Sequence, residues 1–265
     1  MRTAAFFDLD KTIIAKSSTL AFGRSFYQGG LINRRAVLKT AYAQFVYLVG
    51  GADHDQMERM RQYLSALCTG WDVSQVREIV AETLHDLIDP LIYQEAADLI
   101  AEHKAAGRDV IIVSSSGAEV VEPIGKMVGA NKVVATRMVA LDGRYTGEVE
   151  FYAYGDGKAA AIKELAEADG YDLEGCYAYS DSITDLPMLE AVGHPHAVNP
   201  DRALRKEAAA RDWPVLVFAN PVSLRAKMAN LSLPGKPVLA ATAALGVGTA
   251  AAGIVWYARK KRSSD

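Results

Sequence analysis

Short apolar segments that each end in polar residues constrain the fold of this chain more than any other feature. Residues 110–113 form a β-branched run typical of a buried parallel strand. Serines, a glycine and a stretch with helical spacing follow, and the same order recurs towards the C-terminus. This alternation predicts an α/β fold with a Rossmann-like, doubly wound parallel sheet. The predicted strands are residues 4–7, 110–113, 133–135, 177–179, 197–198 and 215–217.

One long stretch interrupts this alternation because it contains no convincing strand. Its apolar residues recur at three- and four-residue intervals, as at Leu38 and Tyr42, which is typical of amphipathic helices. We therefore expect a helical cap at residues 17–86. The core that carries it is predicted at residues 1–16 and 87–231.

The longest uncharged run lies near the C-terminus, at residues 238–258. A helix of about 21 residues spans a hydrocarbon layer of roughly 30 Å, and Trp256 and Tyr257 stand where interfacial aromatics are expected. We expect a transmembrane helix here, after a linker at residues 232–237 and before a basic tail at residues 259–265. An Ala-rich soluble helix or a disordered tail is the alternative, because the segment is mostly Ala, Gly and Thr.

The charge and the cysteine content indicate which partners and which cellular compartment to expect. The net charge of −3 provides no basic field, which argues against nucleic-acid binding. Cys68 and Cys176 lie far apart and predict no disulfide framework, which favours a reducing compartment. The apolar run at the N-terminus is too short for a signal peptide. We expect a cytoplasmic catalytic domain, tethered to the cell membrane by the C-terminal helix.

Polar residues follow three of the predicted strands directly. Asp8 and Asp10 follow the first strand, Ser114 follows residues 110–113, and Asp181 comes soon after residues 177–179. Open parallel sheets bind ligands beyond the carboxyl ends of their strands. These residues therefore predict a single site.

The residue types in this site suit phosphoryl transfer. A carboxylate nucleophile is repelled by a phosphate dianion unless cations compensate, which a divalent cation and Lys158 can do. Mg²⁺ prefers oxygen ligands and needs few of them from the protein. Ser114 and Lys158 can hold phosphate oxygens, and Asp10 can act as general acid and then as base.

Four motifs resemble those of the haloacid dehalogenase superfamily. They are Asp8-Leu9-Asp10-Lys11-Thr12, Ser114, Lys158 and residues 180–185. Their order and spacing are similar to the branch that contains phosphoserine phosphatase, in which a helical cap follows the first motif. The hairpin expected at Asp142-Gly143 is also similar to that branch, and the resemblance covers roughly residues 3–220.

The resemblance implies a role for each site residue. Asp8 is implied as the nucleophile that forms an aspartyl-phosphate, and Asp10 as the general acid and base. The implied phosphate-binding residues are Thr12, Ser114, Ser115 and Lys158. The implied cofactor is Mg²⁺, bound by the side chains of Asp8 and Asp181 and by the backbone carbonyl of Asp10. Asp185 is implied to support the metal and the lysine from nearby.

Two departures from the pattern affect the expected substrate. Phosphoserine phosphatases carry an acidic residue nine positions after the nucleophile, which contacts the substrate amine, but this chain has Ser17 there. Thr184 stands where asparagine is common. The catalytic motifs therefore predict a phosphatase, while phosphoserine itself is in question.

Several functions fit these observations. The first is hydrolysis of a small phosphorylated substrate. Others are hydrolysis of a lipid-linked phosphate by the membrane-anchored enzyme, transfer of the phosphoryl group to an acceptor other than water, and a non-catalytic, membrane-tethered binding module. The sequence does not indicate an oligomeric state.

Overall fold

The predicted strands belong to one seven-stranded sheet in the order β4-β3-β2-β1-β5-β6-β7. The computed structural model describes residues 2–32, 62 and 65–221. The strands are β1 (Ala4–Phe7), β2 (Asp109–Gly117), β3 (Lys132–Leu141), β4 (Arg144–Phe151), β5 (Tyr177–Ser180), β6 (His194–Val198) and β7 (Val215–Leu216). Every neighbouring pair is parallel except β3 and β4. The predicted Rossmann-like α/β class is therefore confirmed, with a mostly parallel sheet.

Helices cover both faces of this sheet. They are α1 (Ser18–Gln28), α2 (Val73–Ile88), α3 (Gln94–Ala105), α4 (Ala118–Val128), α5 (Asp156–Asp169), α6 (Leu186–Glu190) and α7 (Arg202–Ala210). The side chains of β1 alternate between the two faces. Phe7 belongs to the core cluster that includes residues of α1 to α4, whereas Phe6 belongs to the cluster that includes residues of α5 to α7. Strand β1 thus lies inside the molecule, and Asp8 follows it directly.

Three details differ from the sequence prediction. Strand β3 runs to Leu141, well past the predicted 133–135, because Asp142 and Gly143 adopt positive φ and turn the chain back into β4. The sequence predicts a helix at residues 185–192, but the observed helix α6 is shorter, since a 3-10 turn over Ile183–Asp185 precedes it. The sequence His194-Pro195-His196 predicts a loop, but in the structure this segment is part of β6.

Two helices of the predicted cap, α1 and α2, pack on the core. Phe22 of α1 and Val80 of α2 are buried in the same cluster as Phe7. Helix α2 continues through the predicted boundary between residues 86 and 87 and ends at Ile88. Most of the cap between these helices lies outside the described residues, so its bounds stay a prediction.

The C-terminal predictions also lie outside the described residues. They are the linker at 232–237, the transmembrane helix at 238–258 and the tail at 259–265. Among residues 2–32, 62 and 65–221, no helix is long and apolar enough to cross a membrane.

The start of α2 is bonded to the turn between β3 and β4. The N–H of Gly70 donates to the carbonyl of Tyr145 at 2.8 Å, and the N–H of Tyr145 donates to the carbonyl of Trp71 at 3.1 Å. Arg144 pairs with Asp72 at 3.6 Å and donates to the carbonyl of Gly70 at 2.9 Å. The chain at the start of α2 is therefore bonded to the hairpin of β3 and β4, while α2 itself packs on the core.

A buried histidine lies beneath β1 and β5. The Nδ1 atom of His103 accepts a hydrogen bond from Arg108 at 2.6 Å, so Nε2 carries the hydrogen and donates to the hydroxyl of Tyr179 at 2.8 Å. Burial, with the Arg108 guanidinium nearby, lowers the pKa of His103 to about 4. His103 is therefore neutral in the folded protein at neutral pH.

This histidine should make the fold sensitive to moderate acid. An unfolded histidine takes up a proton near pH 6.5, while folded His103 does so only near pH 4. The unfolded state binds more protons between these values, so the free energy of unfolding should fall as the pH drops from about 6.5 to 4. In urea unfolding across this range, His103→Gln should lose less stability than the wild type. The exposed His85 provides the control, and His85→Gln should follow the wild type. Parallel curves for His103→Gln and wild type would contradict the prediction.

Candidate active site

The site lies at the carboxyl ends of the three central strands. Asp8 follows β1, and its N–H donates to the carbonyl of Tyr179 in β5 at 2.9 Å. Ser114 lies near the end of β2, which pairs with β1 on the other side, and Asp181 follows β5. The three predicted strand-end clusters therefore share one edge of the sheet.

A buried lysine joins two of these clusters. The Nζ atom of Lys158 lies 2.7 Å from Oδ1 of Asp8 and 2.7 Å from Oδ2 of Asp185. The side chains of Lys158 and Asp185 are only 2 % and 4 % exposed. Ser180 donates to the same oxygen of Asp185 at 2.7 Å. Asp185 is thus oriented by two donors and in turn fixes the ammonium group beside Asp8.

The first turn of α5 places this lysine. Gly155 precedes the helix with a φ of 53°, a conformation that glycine adopts without steric cost. The chain then passes so close to Tyr152 that a Cβ on Gly157 would collide with the Tyr152 carbonyl oxygen. Glycine at both positions allows α5 to begin with Lys158 directed at the sheet edge.

Asp10 is held by groups from two other elements. Its Oδ1 accepts the N–H of Ser18, at the start of α1, at 2.8 Å. Its Oδ2 accepts the hydroxyl of Ser116 at 3.1 Å, and Ser18 donates its own hydroxyl to Ser116 at 2.9 Å. Both Asp10 oxygens are therefore fixed between the end of β2 and the start of the cap.

The loop after β5 positions Asp181. The carbonyl of Asp181 accepts the N–H of Asp201 at 2.8 Å, and the Asp201 carboxylate accepts the N–H of Ile183 at 2.9 Å. The ammonium group of Lys11 lies 4.0 Å from the Asp181 carboxylate. Asp181 is therefore fixed through its backbone, while its carboxylate faces a lysine of the first motif.

Burial and mutual repulsion raise the pKa values of the carboxyl groups. Burial raises the pKa of Asp8 well above its ordinary range, Lys158 opposes this, and the nearby carboxylates add to it. Burial likewise raises the pKa of Asp181 to about 7. Burial also raises the pKa of Asp10, although hydrogen bonds from Ser18 and Ser116 favour its carboxylate form. Burial lowers the pKa of Lys158, but two carboxylates outweigh it and raise the pKa overall.

The oxygen donors suit a hard cation. In the part of the chain that the structure describes, no group of three or more His, Cys, Asp or Glu side chains is arranged to hold a metal ion. The predicted site needs only the Asp8 and Asp181 carboxylates and the Asp10 carbonyl, because Mg²⁺ retains several waters. The Asp181 carboxylate adds to the raised pKa of Asp8 by repulsion, as a carboxylate near a shared cation position does.

The remaining predicted residues differ in their access to this edge. Ser114 is buried, and its hydroxyl accepts the N–H of Ser116 at 3.2 Å. The Ser115 side chain is exposed. The Thr12 hydroxyl is buried with no hydrogen-bond partner among the described residues. Thr184 stands beside Ser182, with 3.1 Å between the two hydroxyl oxygens. The structure thus brings Asp8, Asp10, Lys158, Asp181, Asp185 and Ser114 to one edge of the sheet, and the roles of Thr12 and Ser115 stay predictions.

Sequence reasoning missed Ser116, Ser18 and Asp201, and it gave Ser180, which it placed in the fourth motif, no role of its own. A signal for Ser116 was present, because alternate residues of a strand share a face and Ser116 therefore accompanies Ser114. The predicted Ser115 belongs to the opposite face. Asp201 caps α7 by accepting the N–H of Leu204 at 2.8 Å. A helix-capping aspartate gives no separate sequence signal for its contacts with the Asp181 loop.

Comparison with known proteins decides the family. The family model described as haloacid dehalogenase-like hydrolase matches residues 5–190. The chain belongs to this family. It is an enzyme, a phosphatase similar to the phosphoserine phosphatases, in agreement with the resemblance found in the sequence.

Curated relatives cover nearly the whole chain. An "Inhibition of morphological differentiation protein" of Streptomyces azureus is 71% identical over 99% of this chain and 95% of its own length. A probable phosphatase of Mycobacterium tuberculosis is 64% identical, over 98% of this chain and 90% of its own. A phosphoserine phosphatase of the same species is 31% identical, over 99% and 82%.

Solved structures agree with the fold. A protein of unknown function from Bordetella pertussis Tohama I has a TM-score of 0.72 and 29% identity, over 82% of this chain and 98% of that one. The phospho-aspartyl intermediate analogue of a phosphoserine phosphatase has a TM-score of 0.61 and 20% identity, over 86% and 98%, which supports the fold alone.

The contact between Ser116 and Asp10 can be tested by mutation. Ser116→Ala removes the hydroxyl that Oδ2 of Asp10 accepts and leaves Asp10 with its contacts to Ser18. We expect kcat to fall about tenfold, which corresponds to a loss of about 1.4 kcal/mol of orientation in the transition state. Steady-state kinetics of phosphate release measures this. Thr19→Val is the control, because Thr19 lies 3.3 Å from the same hydroxyl and its side chain is exposed. An equal fall in both variants would show that Asp10 is not the residue affected.

Proposed function

We propose that the protein hydrolyses phosphomonoesters with Mg²⁺, through an aspartyl-phosphate formed on Asp8. The observation that supports this most is the position of Lys158, 2.7 Å from both Asp8 and Asp185 at the carboxyl edge of the sheet. An ammonium group fixed there can attract a phosphate dianion towards a carboxylate that would otherwise repel it.

Asp10 carries the proton in both halves of the reaction. An Asp8 oxygen attacks phosphorus and the bond to the leaving oxygen breaks, while protonated Asp10 gives its proton to that oxygen. The Asp10 carboxylate then takes a proton from water, whose oxygen attacks the phosphorus and releases phosphate from Asp8. Burial raises the pKa of Asp10, which favours the protonated form needed first.

The cation and the phosphate have natural positions in this arrangement. Asp8, Asp181 and the Asp10 carbonyl would hold Mg²⁺, which supplies positive charge to the phosphoryl oxygens. Ser114 and Lys158 would bind those oxygens, with Ser115 at the rim. The enclosed Thr12 hydroxyl has no partner among the described residues, and such a group costs about 1–3 kcal/mol unless it is satisfied. A change that brings it to a phosphate oxygen or a bound water would remove this cost.

The site residues bind the phosphoryl group, so the choice of leaving group rests on other features of the chain. One relative 31% identical to this chain is a phosphoserine phosphatase, but Ser17 replaces the acidic residue expected to contact the amine of phosphoserine. A small soluble phosphomonoester is the first candidate. A lipid-linked phosphate is the second, and the predicted helix at residues 238–258 is what favours it.

The reaction is tested by phosphate release from the full chain, with Mg²⁺ and with EDTA. A panel of phosphoserine, sugar phosphates and lysophosphatidate covers the candidate substrates. We expect release that EDTA prevents and that Asp8→Asn lowers by at least about a thousandfold, because the nucleophile is lost. Turnover that survives in Asp8→Asn would exclude an aspartyl-phosphate. A folded, Mg²⁺-binding protein that releases no phosphate would favour transfer to another acceptor, or a non-catalytic binding role.

Membrane attachment is tested separately by fractionation of cells. The full chain should sediment with membranes and resist extraction by salt, while a chain ending near Leu233 should remain in the supernatant, because it lacks the uncharged run. If the full chain also stays in the supernatant, the lipid-linked substrate loses its support.

A further inference from the structure

Lys11 occupies a backbone conformation that its residue type does not favour. Four non-glycine residues in the described part of the chain have positive φ, and the other three are Asp142, Asn199 and Asp212. Asp and Asn tolerate this region, whereas lysine, with φ of 62°, meets the full steric cost. The turn requires the conformation, since the N–H groups of Ile13 and Ile14 both donate to the carbonyl of Leu9. Glycine would adopt this conformation without that cost, so the turn itself does not require a lysine side chain.

Charged side chains at this edge become more exposed from the inside outwards. Lys158 is 2 % exposed, Asp8 is 9 %, Asp181 is 11 % and Lys11 is 50 %. The phosphoryl group belongs at the inner end, beside Asp8 and Lys158. In the proposed reaction the leaving group lies on the side of Asp10, its proton donor, and Lys11 is the residue next to Asp10 in the chain.

We propose that Lys11 determines specificity by binding an anionic group on the leaving-group part of the substrate. This rests on the proposed phosphatase function and extends it to a class of substrate: phosphomonoesters that carry a second negative charge. The Lys11 ammonium already lies 4.0 Å from one carboxylate, that of Asp181, so its stem reaches over the outer end of the site. Ser17 supplies no negative charge for a substrate amine, whereas Lys11 supplies a positive charge that suits an anionic group.

The experiment compares two ligands that differ in one charge, 3-phosphoglycerate and glycerol 3-phosphate. Their dissociation constants are measured by calorimetry on the full chain with Mg²⁺, in an Asp8→Asn background that removes the nucleophile. In Lys11→Met we expect the preference for 3-phosphoglycerate to fall about tenfold, the scale of one charge-assisted hydrogen bond. Lys11→Arg should retain the preference. Lys163→Met, which removes an exposed lysine of α5, is the matched control and should also retain it.

Lys11→Gly separates this role from a structural one. Glycine relieves the steric cost of the positive φ, so the midpoint of thermal unfolding should rise by about 2 °C while the preference falls as in Lys11→Met. A purely structural lysine would not produce opposite changes in stability and selectivity.

The outcomes distinguish this proposal from the proposed function. Equal preferences in Lys11→Met and its parent, an equal loss of affinity for both ligands, or binding of neither ligand would overturn the role of Lys11. The two proposals can also fail separately. If Lys11→Met loses the preference but the wild-type protein releases no phosphate, Lys11 is an anion-binding residue and the phosphatase mechanism is rejected.

Discussion

The buried ammonium group of Lys158 is the interaction on which the catalytic edge depends. A charge removed from water is costly, and only the simultaneous contacts with Asp8 and Asp185 compensate for it here. Asp8 follows β1, Lys158 lies in the first turn of α5, and Asp185 lies in the turn after β5. One lysine therefore fixes three separate segments relative to one another. Loss of Lys158 would leave two buried carboxylates without their cation, and an uncompensated buried charge typically costs about 3–5 kcal/mol. The three side chains therefore depend on one another for their stability, and the same contacts hold the ammonium group beside Asp8, where the proposed reaction needs it.

The sheet topology explains why this set can form. Strand β1 is central, β2 lies on one side of it and β5 on the other, and the chain crosses over β1 between β4 and β5. The carboxyl ends of neighbouring strands diverge at such a crossover and leave a crevice. Residues more than a hundred positions apart in the sequence are thus brought into contact by the topology alone, since each lies at the end of a strand or at the start of a helix.

Much of this arrangement was predictable because the signals were local. Apolar runs located β1, β2 and β5, and the polar residues at their ends located Asp8, Ser114 and Asp181. What could not be predicted depends on three-dimensional contact. Ser116 donates to Asp10 only because β2 and the start of α1 converge there, and Asp201 supports the Asp181 loop from a helix cap. The length of β3 was underestimated because Thr136 and Arg137 interrupt its apolar run, so that only residues 133–135 were predicted as a strand. The hairpin at Asp142-Gly143 was expected, but its pairing with β4 extends β3 to Leu141.

The contact between the start of α2 and the turn after β3 also bears on self-association. Strand β4 is an edge strand of the sheet, and an uncovered edge invites pairing with another chain. At Tyr145 both outward backbone groups are already bonded, to Gly70 and Trp71. Further along the strand, Glu148 and Glu150 place like charges where a second copy of β4 would have to align. The chain at the start of α2 thus also protects the sheet against aggregation through this edge.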